Sequence, residues 1–392
     1  MSRIDDLINE LCPDGVEYKN LGSLASVNTG SQLNKTALSK AGEYPVINGG
    51  ISPSGYYHLS NTEEDTIAIS QGGASAGYVN FIHTKFWAGA HCFVIKPITE
   101  CIENKYLYYI LKNDQDKFMN AKLGAGIPGL NRKELTNYLI PIPPLAIQQE
   151  IVNILDKFTT LEAELEAELE ARKKQYKYYR DKLLTPIEVN GKWYMNGIET
   201  RWDTLDNVCQ SISAGGDLPQ KYNKGQTSPS DDFPYPIYSN GTEEKALYGY
   251  TDGYKINTEA ITISARGTIG YHAVRKPHFT PIIRLITLIP KKTCVIAKYL
   301  NYALDITIIG SSGGSIPQLT VPNVKKISIP IPPLEEQERI VSILEKFDAL
   351  VSDISVGLPA EIEARKKQYE YYRNKLLTFK NIADAQGGID EV

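Results

Sequence analysis

Cysteine is scarce. Cys12, Cys92, Cys101, Cys209 and Cys294 are scattered at spacings that form neither a disulfide framework nor the paired ligands of a zinc site, so they read as reduced and mostly buried. The five histidines lack paired ligand spacing as well, so His91 beside Cys92 reads as a core or surface residue and no metal site is expected. Long apolar runs are missing. The longest, around residues 285–289, is far too short to span a bilayer, and no membrane association is expected. Near the start, Asp5 and Asp6 stand where a secretory signal would carry basic and then apolar residues, which predicts a cytoplasmic protein. No surplus of positive charge exists either: 42 Lys and Arg against 46 Asp and Glu leave a formal charge of -4. That balance opposes binding to phosphate, but its distribution matters more than its sum. Acid is concentrated in Glu162, Glu164, Glu166, Glu168 and Glu170 and around residues 333–338, whereas Lys221, Lys224, Arg266, Arg275, Lys276 and Arg284 lie where acids are fewer. The common catalytic signatures are read as missing too, with no G-x-G-x-x-G after a strand, no P-loop, no H-E-x-x-H and no G-x-S-x-G nucleophile elbow expected.

What the chain does have is repetition. With 392 residues it is long enough for two ordinary domains. P-I-P-P-L-A-I-Q-Q-E-I-V-N-I-L-D-K-F at residues 141–158 returns 189 residues later as P-I-P-P-L-E-E-Q-E-R-I-V-S-I-L-E-K-F. E-A-R-K-K-Q-Y-K-Y-Y-R-D-K-L-L-T, ending at Thr185, returns 193 residues later, so four residues were gained between the two blocks. Both stretches carry helical periodicity. Ile151, Phe158, Leu165, Arg172 and Tyr179 recur every seven residues, with Leu155, Leu169, Tyr176 and Leu183 beside them. Ile340, Phe347 and Ile354 repeat likewise, flanked by Leu344, Val351 and Leu358. Four added residues amount to about one helical turn, which would displace the second Arg-Lys-Lys-Gln-Tyr block along its axis on nearly the same face. Gly357 and Pro359 predict a break or kink in the second helix. From residue 148 to 184 the first helix would span about 55 Å. The prolines at 143–144 and 332–333 are expected to end a strand and start each helix. They cannot be the Asn/Asp-Pro-Pro-aromatic motif of an amino-methyltransferase, because Ile precedes them and Leu follows.

The segment before each helix is more divergent yet parallel. Gly15, Val16 and Glu17 match Gly197, Ile198 and Glu199; Tyr44, Pro45 and Val46 match Tyr235, Pro236 and Ile237; I-S-Q-G-G-A-S-A-G-Y at 69–78 matches I-S-A-R-G-T-I-G-Y at 263–271; Gly126, Ile127 and Pro128 match Ser315, Ile316 and Pro317. Residues 66–69 and 260–263 read as strands feeding Gly-rich loops, and 105–111 and 298–304 as short helices. The expected fold is α+β, a globule followed by a long helix, twice over.

On these residues the chain resembles, over nearly its whole length, the specificity subunit of type I restriction–modification systems. The resemblance implies two tandem target recognition domains, each followed by a long helix, the two helices pairing as an antiparallel coiled coil with pseudo-twofold symmetry. It places the first recognition domain at 1–145, the central helix at 146–185, the second recognition domain at 186–334, the C-terminal helix at 335–380 and a disordered tail at 381–392. It further implies a non-catalytic chain. Each domain would read half of a bipartite, asymmetric target in double-stranded DNA, and the helices would fix the spacing and dock two modification (adenine-N6 methyltransferase) subunits, joined by the restriction (translocase and nuclease) subunits. S-adenosylmethionine, ATP and Mg are expected in those partner subunits and no cofactor in this chain. Two readers on successive major grooves need centres about 34–36 Å apart, a distance a rigid helix pair can set.

Bases are read in the major groove by Arg, Asn and Gln, while backbone amides and Lys hold phosphates. Candidate DNA contacts in the first domain are Asn48, Gln71, Gly72, Ser75, Asn131 and Arg132, and in the second Ser239, Asn240, Arg266, Gly267, Thr268 and Gln318. Gly72, Gly73 and Gly267 would let backbone approach DNA. Arg266, in a Gly-containing loop after a strand, is the foremost single candidate. Twenty-five tyrosines against nine phenylalanines favour wet interfaces. Arg172, Tyr176, Tyr179, Arg180, Arg365, Tyr369, Tyr372 and Arg373 are the candidates for subunit docking, and these tyrosines, with Tyr178 and Tyr371, are read as helix-pair packing and subunit docking in preference to base stacking. Two other classes fit the same residues: the reader of a fused or type II-like modification system, which neighbouring genes would reveal, and a protein-binding coiled-coil scaffold, which salt-sensitive DNA binding would exclude.

Overall fold

A computed structural model describes residues 3–120, 129–307, 319–351 and 357–383. Two units make up the chain, Met1–Glu166 with Glu361–Val392, and Ala167–Ala360. The duplication seen in the sequence is a duplication of architecture.

In the first unit a four-stranded antiparallel sheet runs in the order Ala25–Thr29, Cys92–Pro97, Thr66–Ser70, Val79–Ile82. A three-stranded sheet, Gly55–Tyr57, Tyr44–Ile47, Trp87–Ala88, closes with a parallel pair. The second unit repeats both: Cys209–Ala214, Ile286–Pro290, Ala260–Ile263, His272–Arg275 in one sheet, and Tyr222–Lys224, Leu247–Thr251, Tyr235–Tyr238, Thr280–Pro281 in the other, again with a parallel last pair. The strands read at 66–69 and 260–263 are the buried centre of each large sheet, because their β-branched side chains suit a pleated surface covered on both faces. Ile67, Ile69, Ile261 and Ile263 are fully buried, each contributing roughly 1.5–3 kcal/mol of burial. Helices Asn104–Asn113 and Ala297–Asp305 bury Tyr106 and Tyr299 against these sheets, and each tyrosine hydroxyl donates to a carbonyl of the proline-rich segment, Pro141 O at 3.2 Å and Pro330 O at 2.8 Å.

Strands Leu139–Ile142 and Ser328–Ile331 end at the proline pairs, and the helices Leu145–Leu184 and Leu334–Val351 begin immediately after. The first helix is continuous over 40 residues. The second is divided, as Gly357 and Pro359 imply. The described residues form Leu334–Val351 and a separate helix Leu358–Leu377, which has Pro359 as its second residue, where a missing N–H costs nothing. A Cβ on Gly357 would meet Ala349 O at 2.5 Å, so only glycine fits this connection. Residues 352–356, between these two helices, lie outside the described residues.

Each unit contains a helix pair, and each pair is antiparallel. In the first, Phe158 stacks on Tyr372 at 5.6 Å, while further along, Glu162 and Glu166 meet Lys366 at 3.4 and 2.9 Å. In the second, Tyr179 stacks on Phe347 at 5.8 Å, and at the far end Asn196 Nδ2 donates to both Leu183 O, at 3.0 Å, and Glu336 Oε1, at 2.9 Å. The repeated Q-Y-x-Y-Y-R block thus packs, in each unit, against the helix that follows the P-I-P-P-L motif. In the first unit the block comes from the C-terminal part of the chain, and it continues into Phe379–Asn381, whose backbone bonds to Val16 and to the Tyr18 hydroxyl.

Candidate nucleic-acid interface

The repeated glutamine of each P-I-P-P-L-x-x-Q motif anchors the strand-to-helix corner. Gln148 is fully buried; its Nε2 donates to Pro143 O at 2.8 Å and Cys101 O at 2.9 Å, and its Oε1 accepts from Glu103 N at 2.8 Å. Gln337 does the same with Pro332 O, Cys294 O and Ile296 N at 2.9, 2.9 and 3.0 Å. Both glutamines were missed in the sequence, where a polar residue on an amphipathic helix reads as solvent-facing. Repetition at the same offset was the available signal.

Polar loops converge at one end of each large sheet. In the second unit Asn240 links two of them: its Oδ1 accepts from Ala265 N at 2.7 Å and its Nδ2 donates to Ile283 O at 2.7 Å. Both ends of the amide are engaged, so Asn240 positions loops. The exposed Arg266, Gly267 and Thr268 lie on the loop so held, with Gly267 left-handed at φ +69 and open space around it. Thr268 O accepts from Tyr271 N to close the turn, and Ala265 O accepts from Leu319 N. Ser239 is half-buried and bonds through its backbone to Ala246 O, while Gln318 lies outside the described residues.

The first unit is built alike. Asn48 Oδ1 accepts from His91 N at 3.1 Å, and Gln71 N donates to His91 O at 2.8 Å. Gln71 O accepts from Leu130 N, Gly72 bridges to Gly129, and Ser75 O accepts from Tyr78 N. Asn131 is an N-cap, accepting from Lys133 N at 2.8 Å, and leaves the exposed Arg132 at the first helical position. A cleft of about 720 Å³ beside these loops is lined by Gln32, Lys35, Lys40, Asn48 and His91. His91 on this rim was read in the sequence only as a core or surface residue, and Arg284 on the other only as part of a basic stretch, since each loop lies about forty residues along the chain from the asparagine that holds it.

Gly73, Ala74, Ser75, Ala76 and Gly77 do spell the G-x-S-x-G of a nucleophile elbow, which corrects the reading that the chain lacks this motif. An elbow is a strand-to-helix turn, whereas these residues join the antiparallel strands Thr66–Ser70 and Val79–Ile82. Cys92 is no nucleophile either, because burial pushes its thiol up to about 12. Arg275, counted among the basic residues of the second half, is committed to the fold: it lies over the Tyr238 ring at 4.0 Å and donates to Thr262 Oγ1.

His272 clamps the end of the loop that carries Arg266. Its Nδ1 lies 2.8 Å from Gly270 O, and its Nε2 lies 3.1 Å from Asn301 O and 3.3 Å from Asp305 Oδ1. Both ring nitrogens face acceptors, an arrangement that favours the two-donor imidazolium. Burial favours the neutral ring, but Asp305 and the two carbonyls outweigh it and raise the pKa. A raised folded-state pKa gives stability that is full below the ordinary value of about 6.5 and lost as pH rises through the raised one. Thermal unfolding followed across that window should show a loss in the wild type that is absent in His272→Gln. An equal pH response in both chains would show that the clamp does not depend on charge.

The docking candidates sit on the helix pairs. Tyr176 and Tyr179 pack on Phe347, Tyr369 and Tyr372 on Phe158. Arg172 bonds Glu168 and Gln175, Arg180 bonds Asp181, Arg365 meets Glu361 and Gln368, and Arg373 donates to Asn113 and lies over Tyr369. The tyrosines turned outward are their neighbours Tyr178 and Tyr371, 61% and 65% exposed at equivalent positions of the two repeats.

A duplicated α+β unit that presents a rim of variable polar loops on a repeated framework is a recognition module. The family described as type I restriction modification DNA specificity domain matches residues 13–171 and again 201–364. The chain is 34% identical over 316 residues to the EcoR124I/EcoR124II specificity subunit of Escherichia coli, covering 73% of this chain and 74% of that one. It is 34% identical over 387 residues to a protein named as a type I restriction enzyme specificity subunit in Haemophilus influenzae, covering 93% and 96%. A crystal structure of the S subunit from M. genitalium shares the fold, with a TM-score of 0.60 at 21% identity over 92% of this chain and 95% of that one. This chain belongs to the type I restriction–modification specificity subunits. It is a DNA-recognition subunit with two specificity domains, in a family whose members are not catalytic. No helix among the described residues is long and apolar enough to cross a membrane.

Proposed function

We propose that each unit reads one half of a bipartite, asymmetric DNA target, with the helix pairs setting the spacer and docking two copies of one adenine-N6 methyltransferase subunit. The observation that carries this reading is a framework repeated with different tips. Asn48 and Asn240 hold equivalent loop clusters, but the first presents Gln71 and Ser75 and the second Arg266 and Thr268. Identical anchors with unlike hydrogen-bonding groups suit two half-sites of different sequence. Docking of one partner twice is supported by Tyr178 and Tyr371, exposed at matching positions of helix blocks that differ only at Lys177/Glu370 and Asp181/Asn374. Restriction subunits would join that assembly in the cytoplasm, and S-adenosylmethionine, ATP and Mg would serve in the partner subunits.

The test is a map of N6-methyladenine in a methylation-free bacterial host producing this chain with the modification subunit encoded beside it, against that subunit alone. A bipartite motif present only with both proteins is the expected result. Co-purifying proteins that leave no new methylation would count against recognition by this chain. Within the same assay, Arg266→Ala should cost roughly 1–3 kcal/mol of discrimination and relax one base of the second half-site. A uniform loss across all sequences would instead make Arg266 a phosphate contact.

A further inference from the structure

Ile283 and Arg284 both adopt left-handed backbone, φ +52 and +60. For a β-branched residue that conformation is a steric outlier, and such strain persists only where surrounding structure enforces it. Here the enforcement is complete. Ile283 N donates to Gly216 O at 2.9 Å, Arg284 N to Gly215 O at 3.1 Å, and Asn240 Nδ2 to Ile283 O at 2.7 Å. On either side Ile282 and Leu285 are buried, so the segment is pinned at both ends. Gly215 has no room for a side chain, since a Cβ would meet Pro281 C at 2.7 Å. The strain brings the fold nothing in return: Ile283 is 49% exposed, and Arg284 is exposed with no side-chain hydrogen bond or ion pair among the described residues.

Asn240 also fixes where this tip stands. One side-chain amide holds the backbone of Ala265, which precedes Arg266, and of Ile283, which precedes Arg284. Two exposed arginines from different loops are therefore set at a fixed separation by one residue. In the first unit the matching loop carries Ala90 and His91, without left-handed backbone; there His91 N donates to Asn48 Oδ1 and His91 O accepts directly from Gln71 N of the loop after the central strand. An asparagine ties the loop in both units, while its bonds and the tip it holds differ.

We propose that Arg284, with Ile283 beside it, is a base-contacting and specificity-determining residue of the second unit, paired with Arg266 across Asn240. The guanidinium would take the O6 and N7 acceptors of a guanine in the major groove, and the isoleucine side chain the methyl of a neighbouring thymine. This rests on the DNA-recognition reading above. The wild-type complex supplies the control that separates the two: if it writes no bipartite motif, the recognition reading itself fails, whatever Arg284 does.

The experiment maps N6-methyladenine for the complex carrying Arg284→Ala, Arg284→Lys or Ile283→Gly, with the melting temperature of each. Arg284→Ala should relax one base pair of the second half-site, reduce methylation at the original target about 10- to 100-fold, and leave the first half-site intact. Arg284→Lys should restore DNA affinity without restoring that base preference, because lysine lacks the planar fork. Ile283→Gly should melt at the same temperature or higher, as strain is relieved, while weakening the second half-site; a purely structural residue would not separate stability from recognition in this way. An unchanged motif with Arg284→Ala, or an equal loss at every site regardless of sequence, overturns the proposal.

Discussion

Gln337→Ala is expected to destabilise the second unit by roughly 2–4 kcal/mol, and Gln148→Ala to do the same to the first. Each glutamine is fully buried and makes three hydrogen bonds, all to backbone groups. Alanine would leave a buried N–H and two carbonyls without partners and open a cavity where the amide stood. The location adds to the effect, because the lost bonds join the helix start, the proline-rich segment behind it and the loop entering Ala297–Asp305 or Asn104–Asn113. Replacement by Glu should recover little, since a carboxylate supplies the acceptor for Ile296 N or Glu103 N and loses both donated bonds. Chemical unfolding would measure the loss, and hydrogen exchange would locate it: protection should fall around Cys294, Ile296 and Leu344 in Gln337→Ala, with residues of the first unit unaffected. A drop of less than about 0.5 kcal/mol, the level of an ordinary surface change, would mean the corner is held by something else.

The second large effect concerns recognition. Asn240→Ala should abolish selectivity at two positions of the second half-site, lowering methylation of the original target by about 100-fold while the first half-site is still read. The reason is geometric. Without the amide, Ala265 N and Ile283 O lose their common partner, and the Arg266 and Arg284 loops no longer stand at a fixed distance. Asn240→Asp separates the two links, because a carboxylate still accepts from Ala265 N but cannot donate to Ile283 O. Selectivity at the Arg266 position should therefore return in Asp and remain lost at the Arg284 position. Retention of the full motif in Asn240→Ala would show that the loops are held without it.

Much of the framework was legible along the chain. Strands at 66–69 and 260–263 show as β-branched runs between Gly-rich loops, and the turn from strand to helix shows as a proline pair. The site was less so. Asn48 and Asn240 were read as bases' partners from their amides, yet they tether loops; Asn131 caps a helix; Arg275 stacks on Tyr238. A polar residue looks alike in sequence whether its hydrogen bonds go to DNA, to water or to backbone forty residues away. The outward tyrosines, Tyr178 and Tyr371, could not be told from Tyr179 and Tyr372 for a related reason: neighbours on a helix differ by about 100° in direction, and only the partner helix decides which one is covered.

The sequence alone determined that this protein is double, what kind of elements each half contains and which family it belongs to, because repetition and hydrophobic period are properties of neighbouring residues. Only the tertiary structure decided that the long helix is shared between two units and that one asparagine holds the loops of two arginines. Those facts depend on contacts between segments distant in the chain, where the direction of a backbone N–H or carbonyl is set by packing.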